Sequence, residues 1–199
     1  MNLKSQLQNT DIYIIDQILK GRFDNVKNVL DVGCGSGRNL SYFLQNNFDV
    51  FGIDPNEKRL EETKKLVSKL NTTTLLTNFK IGIAEQIPFE SNFDLIICNA
   101  VLHFAKNKIQ FEEMLFGMWK KLNANGILFI RLASNIGIEN LVESIENGNY
   151  KLPDRSTRYL VSEKMLLDYS EQLNAKLVEP IKTTNVQNLR CMTTWILRK

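Results

Sequence analysis

The chain has 199 residues, enough for one α/β domain that buries roughly 70% of the surface its unfolded form exposes, so neither disulfide nor metal is needed for folding. Hydrophobic residues make up 43% and charged residues 24%, which excludes a mainly disordered chain. The net charge of +3 falls short of a dedicated duplex-binding surface while leaving room for an anionic substrate.

Three separated cysteines, Cys34, Cys98 and Cys191, offer no CxxC or CxxH spacing, which argues against a zinc site and for free thiols in a reducing compartment. The start, Met1 to Gln6, has no apolar signal region, and no apolar run approaches the roughly 18 residues of a membrane helix. A cytoplasmic protein without membrane spans is expected.

In chain order, Thr10 or Asp11 can cap a first helix whose apolar residues Ile12, Ile15 and Leu19 share one face and which Gly21 stops. A β-branched run over 26–32 ends in glycines and leads into a helix over 38–45. The alternation then repeats as strand 50–53, helix 57–70, strands 79–83 and 93–99, helix 109–122 and strand 126–132. Such alternation predicts βαβ units and a mostly parallel sheet. Residues 93–98 are nearly all apolar, as befits a strand covered on both faces. The stretch 133–161 far exceeds the usual connection of about 2–6 residues and is expected to carry a short helix over 139–146, ended by Gly148. After a helix over 163–173, the stretches 175–186 and 191–197 flank a turn too short for a crossover helix, so they must pair antiparallel. No repeat or linker divides residues 1–199, which predicts a single domain.

The central motif is Asp31-Val32-Gly33-Cys34-Gly35-Ser36-Gly37-Arg38-Asn39. Glycines that follow a strand and open a helix let the backbone turn tightly and approach a ligand closer than any Cβ permits. A helix beginning near Arg38 is expected to present unpaired N–H groups to that ligand. Asp54 ends the next strand in Phe51-Gly52-Ile53-Asp54-Pro55, where a carboxylate can accept both hydroxyls of a ribose. The same residue can cap the following helix with Pro55 at its first position, and the two roles are compatible. The GxGxG spacing puts Arg38 where a nicotinamide dinucleotide site wants its third glycine, which speaks against a dehydrogenase.

With these motifs in order, the sequence resembles the class I S-adenosylmethionine-dependent methyltransferases, and among them small bacterial type-11/12 and tellurite-resistance-like enzymes. DVGCGSGRN is similar to their first motif, FGIDPN to the second, and IGIAEQIPFESNFDLIICNAVLHF to the third and fourth. LNANGILFIR resembles the segment before strand five, although Ala124-Asn125-Gly126 departs from the usual proline-glycine-glycine. The resemblance spans about residues 26–132, and the terminal hairpin fits the family's reversed seventh strand. It implies a Rossmann-like α/β fold: a seven-stranded, mostly parallel sheet with an antiparallel C-terminal hairpin and helices on both faces. It also implies S-adenosyl-L-methionine as cofactor and no metal. Asp31, Gly33, Cys34, Gly35 and Gly37 would hold the methionine end, and Asp54 the ribose. Ile53 and Pro55 would lie beside the ring, with Ala84 and Glu85 bordering adenine; Glu85 also reads as a solvated loop charge. Asn99 would sit near the sulfonium and the incoming substrate.

Methyl transfer from a sulfonium is an in-line displacement that chiefly needs positioning, and a base only when the nucleophile must lose a proton. His103, the only histidine, follows Asn99 at the sheet's ligand-binding edge and is expected to act as base or orienting donor. The competing reading is a histidine packed in the local turn between Leu102 and Phe104. Residues 133–161 are expected to form a lid whose Arg155 and Arg158 can read an anionic acceptor, against a reading as solvated charges; Asp11 and Tyr13 can also cover the pocket. Asn99-Ala100-Val101-Leu102 lacks the Pro-Pro-aromatic signature of amino methylation on adenine or glutamine. No Pro-Cys nucleophile for cytosine occurs. A small-molecule acceptor is therefore expected; an RNA or protein methyltransferase and a non-catalytic S-adenosylmethionine-binding domain are the alternatives.

Overall fold

A computed structural model of the chain describes residues 3–7, 9–70 and 72–199. Two helices, α1 (Leu3–Leu7) and α2 (Ile12–Leu19), precede β1 (Asn28–Val32), α3 (Ser41–Gln45), β2 (Asp49–Asp54), α4 (Glu57–Leu70) and β3 (Phe79–Ile81). Then come β4 (Phe93–Asn99), α5 (Lys108–Lys120) and the long β5 (Leu122–Ser134). The rest comprises β6 (Glu143–Ser144), β7 (Asn149–Lys151), β8 (Thr157–Tyr159), α6 (Glu163–Gln172), β9 (Lys176–Leu177), β10 (Lys182–Val186) and β11 (Arg190–Arg198).

The main sheet runs β10-β11-β5-β4-β1-β2-β3, with β9 also paired to β11. The β5-β4-β1-β2-β3 portion is parallel, and β11 alone runs against its neighbours β5, β10 and β9. The expected mostly parallel sheet with its reversed hairpin is present. The expected stretch 175–186 is split into β9 and β10 around Pro180, which has no N–H to give to β11.

Alternate residues of the central strands face opposite layers. Ile96 and Cys98 pack with Leu128, Ile130 and Trp195 toward α5 and α6, whereas Leu95 and Ile97 pack with Phe129, Phe43 and Leu60 toward α3 and α4. Both faces are covered, which is why β4 has no polar alternation. The parallel arrangement places the C-terminal ends of β1, β2, β4 and β5 along one edge, where open α/β sheets bind ligands.

Three local expectations are corrected. In α2 the buried residues are Ile14 and Gln17, while Ile12 and Leu19 are 65% and 70% exposed. The helix start is pinned by Thr10 Oγ1 donating to Arg38 O and Asp11 N–H donating to Asn39 Oδ1, which turns the other face inward. The helix expected from Arg38 begins at Ser41 and is one turn long. No helix forms over 139–146; β6, β7 and β8 make a small antiparallel sheet instead. Its first turn uses Asn147 and Gly148, both at positive φ (55° and 82°), the geometry of a tight hairpin. Among the described residues no helix is long and apolar enough to cross a membrane.

Candidate active site

The glycine loop leaves β1 through left-handed backbone positions that favour glycine. Gly33 has φ +71° and a Cβ there would sit 2.4 Å from Val101 Cγ2. Gly35, at φ +56°, is different: nothing lies within 4 Å of its would-be Cβ, so it faces open space. Around that opening the loop satisfies its own donors. Gly33 and Cys34 N–H both donate to Ile53 O (2.8 and 3.0 Å), and Gly37 N–H donates to Cys34 O (2.9 Å). Gly35 N–H donates to Asp54 Oδ2 at 2.9 Å. Four of the loop's N–H groups, at 33, 34, 35 and 37, are thus spent within the protein, and the second half of the loop, Ser36, Arg38 and Asn39, lines the opening.

Asp54 also accepts Asn56 N–H at Oδ1 (2.8 Å), leaving each carboxylate oxygen a second lone pair. It does not cap α4. Asn56 does, accepting Arg59 N–H at 3.2 Å, so Pro55 lies before the cap rather than inside the helix.

Two buried polar side chains near the C-terminal ends of β1 and β4 have no partner. Asp31 is 1% exposed, and neither of its oxygens is hydrogen-bonded. Burial pushes its carboxyl up to about 8, with Arg38 opposing and Asp54 adding to the rise. Asn99, at the end of β4, is buried with both its amide nitrogen and its oxygen unsatisfied. Orphaned buried polar groups are rare in folded proteins, and two at one sheet edge point to a ligand that completes them. Cys34 is buried with its thiol pushed up by burial and then by Asp31, so it serves as a small apolar wall and not a nucleophile.

Three clefts line up along the edge. The first, about 320 Å³, is walled by Pro55, Ile83, Ala84, Glu85, Phe104 and Met114. It shares Gly33 with a second of about 420 Å³ that holds Gly35, Arg38, Asn39 and Asn99. Glu85 is not merely a solvated charge: it accepts from Gln110 Nε2 at 2.8 Å. The second cleft shares Ala100, a non-glycine residue at φ +63°, with a third of about 210 Å³.

His103 lines this third cleft from the short turn after β4. Its Nδ1 accepts Ala133 N–H at 3.1 Å, and its ring meets Phe104 edge-on with centroids 4.5 Å apart. Burial, then the nearby Arg158 and Arg131, push its pKa down to about 4. An acceptor at Nδ1 in a neutral ring fixes the proton on Nε2, so the ring has a donor to offer and no free lone pair. The geometry thus corrects the base half of the expectation and leaves the donor.

Arg131, Arg158 and Arg190 line the same cleft. Of the arginines expected there, Arg158 is present but Arg155 is not: it sits exposed in a turn at φ +68°, its N–H donating to Leu152 O. Arg131 and Arg190 were not anticipated. Arg131 was legible as a lone charge inside the apolar run of β5; Arg190 needed the β11–β5 register, which sets Cys191 opposite Ser134. Asp11 and Tyr13 reach this end of the edge, as expected. Asp11 Oδ2 is 3.5 Å from Arg131 Nη1, and the Arg131 guanidinium lies over the Tyr13 ring at 4.9 Å.

A family model described as a methyltransferase domain matches residues 30–130. The chain is 29% identical over 160 residues to a tRNA U34 carboxymethyltransferase of Pseudoalteromonas atlantica, covering 78% of this chain and 47% of that one. It is 24% identical over 120 residues to a ubiquinone biosynthesis O-methyltransferase of Rickettsia bellii, covering 59% and 47%. The chain spans about half the length of the curated relatives it matches. A solved S-adenosylmethionine-dependent methyltransferase from Clostridium acetobutylicum has the same fold, with a TM-score of 0.72 at 12% identity, covering 100% of this chain and 92% of the other.

Proposed function

Because this chain belongs to the methyltransferase-domain family, we propose that it transfers a methyl group from S-adenosylmethionine to a small-molecule acceptor, with residues 1–199 acting as one domain and residues 133–161 as the wall and lid of the acceptor cleft. The observation that carries this reading is the unpartnered Asp31 carboxylate beside a glycine loop whose N–H groups at 33, 34, 35 and 37 are already used. Such a crevice suits a cationic group. A dinucleotide pyrophosphate would bring negative charge beside the Asp54 carboxylate and would supply no cation for the buried Asp31 to ionise against.

S-adenosylmethionine, when bound, supplies a methyl group already activated on a sulfonium. The residues of the chain need only bind, orient and exclude water. Asp31 would receive the ammonium of the methionine end, and the remaining lone pairs of Asp54 would accept the ribose hydroxyls. Ala84 and Glu85 border the cleft for adenine, with Pro55, Ile83 and Met114 giving apolar contact. The Asn99 amide, at the junction with Ala100, would face the reacting centre. His103 would orient the acceptor by donating from Nε2, which suits a nucleophile that arrives without a proton to lose.

A polynucleotide acceptor would call for a long basic groove; the arginines instead line a cleft of only about 210 Å³, which supports a small acceptor. A domain that only binds the cofactor would have no use for the third, arginine-lined cleft that meets the second at Ala100. The test is a screen of small acceptors for S-adenosylhomocysteine release. Turnover with at least one, abolished in Asp31→Ala, is expected. Cofactor binding without turnover on any small molecule, together with methylation of bulk tRNA, would contradict the small-molecule reading.

A further inference from the structure

The third cleft is built from three different elements of the fold that each deliver one guanidinium: Arg131 from β5, Arg158 from β8 and Arg190 from the start of β11. Guanidinium groups brought together from separate strands repel one another, so their convergence needs anionic company. The protein supplies part of it. Asp154 lies 3.7 Å from Arg190 and is itself fixed by Ser156, whose N–H and hydroxyl donate to its Oδ1 at 2.9 and 2.6 Å. Asp11 lies 3.5 Å from Arg131. Both pairs are longer than a close charge-assisted hydrogen bond, so neither acid occupies its arginine's donor fork.

Arg158 has no described carboxylate as ion-pair partner. It rests over the Phe104 ring at 4.9 Å and donates from Nη1 only to Thr157 O. Arg131 Nε is buried with no acceptor at all. Three guanidinium charges against two carboxylates leave one net positive charge, in a pocket whose remaining walls are Ala100, Ala133, Leu152 and Met192. His103 adds none, since it stays neutral there. A donor-rich site with a single unbalanced charge matches a planar monoanion that can take two parallel N–H bonds.

We propose that the acceptor is a small carboxylic acid, bound as its carboxylate by Arg158 and Arg131 with Arg190 held in reserve by Asp154, and turned so that its nucleophilic atom faces Ala100 and the methyl donor. This rests on the methyltransferase reading for its purpose, but the carboxylate site exists or fails independently of it. It also assigns His103 a positioning role, as the neutral donor that completes the site without raising its charge.

The test uses the whole protein saturated with S-adenosylhomocysteine and follows benzoate, its neutral isostere benzamide and inorganic phosphate by ligand-observed NMR. Benzoate is expected to bind at least tenfold more tightly than benzamide. Arg158→Gln is expected to weaken benzoate at least tenfold while leaving benzamide and S-adenosylhomocysteine affinity within twofold. Arg158→Lys, which keeps the charge without the fork, should fall between. Equal binding of benzoate and benzamide, or benzoate binding indifferent to Arg158→Gln, would overturn the proposal, and so would a preference for phosphate over benzoate. Should S-adenosylhomocysteine itself fail to bind, the methyltransferase reading falls, while benzoate binding to the free protein still decides the carboxylate site.

Discussion

Gly35 N–H donates to Asp54 Oδ2 across 2.9 Å, tying the middle of the glycine loop to the end of the neighbouring strand. The bond fixes the Asp54 carboxylate against the loop at the glycine whose other side faces open space. It also means that Asp54 shapes the site before any ligand arrives.

Replacing Asp54 with Ala removes that tether together with the ribose acceptor. The expected cost to S-adenosylhomocysteine affinity is about 1.5–3 kcal/mol, roughly ten- to a hundredfold. Titration calorimetry on Asp54→Ala and Asp54→Asn checks it, with Asn retaining part of the affinity through its one remaining acceptor oxygen. Unchanged affinity in both variants would refute the assignment.

Asp31 should make the free protein less stable as pH rises. Its folded pKa, near 8, lies above the ordinary 3.8. The folded state therefore keeps a proton that the unfolded state releases, and the stability present below about pH 4 is lost progressively up to about pH 8. Asp31→Asn is expected to raise the Tm of the free protein by several degrees at pH 8 and by much less at pH 5, while weakening cofactor binding. Because a bound ammonium favours the charged carboxylate, binding at pH 7 should release close to one proton. Calorimetry in buffers of different ionisation enthalpy measures this directly.

His103 acts in the opposite sense. Its folded pKa of about 4 lies below the ordinary 6.5, so its contribution is complete above pH 6.5 and lost as pH falls toward 4. The loss should reach about 3 kcal/mol at most. His103→Gln can still accept from Ala133 N–H or donate to an acceptor, so it should flatten this slope and keep turnover within about tenfold. A pH-independent loss of a thousandfold or more would instead indicate a base.

Much of this was written in local sequence. The apolar run Phe93–Cys98 announced a strand buried on both faces, the pattern over 57–70 gave α4 at its observed bounds, and the GxGxG loop with Asp54 located the crevice. Misreadings came where local turn chemistry or tertiary contacts outweighed periodicity. Asn147-Gly148 is a hairpin signal that overrides the helical spacing over 139–146. The contacts of Thr10 and Asp11 with the glycine loop, which no pattern within 12–19 encodes, rotated the first helix. The convergence of Arg131, Arg158 and Arg190 depends on strand register and on the β6-β7-β8 sheet, so only the fold assembles it.

The first and middle glycines of the loop should separate stability from binding. Gly33→Ala forces a methyl against Val101 in a left-handed backbone and is expected to cost about 2–4 kcal/mol of stability. Gly35→Ala carries only the backbone strain, about 1 kcal/mol, but projects its methyl into open space. Thermal denaturation and cofactor titration of the pair should show Gly33→Ala failing mainly in the first and Gly35→Ala mainly in the second.

The most direct measurement is a calorimetric titration of the unmodified protein with S-adenosylhomocysteine beside a parallel titration with NADH. One molecule of S-adenosylhomocysteine per chain, with NADH giving no heat of binding, is the expected result. Saturable binding of NADH with none of S-adenosylhomocysteine would contradict the claim that the Asp31–Gly35–Asp54 crevice is made for a cationic sulfonium nucleoside.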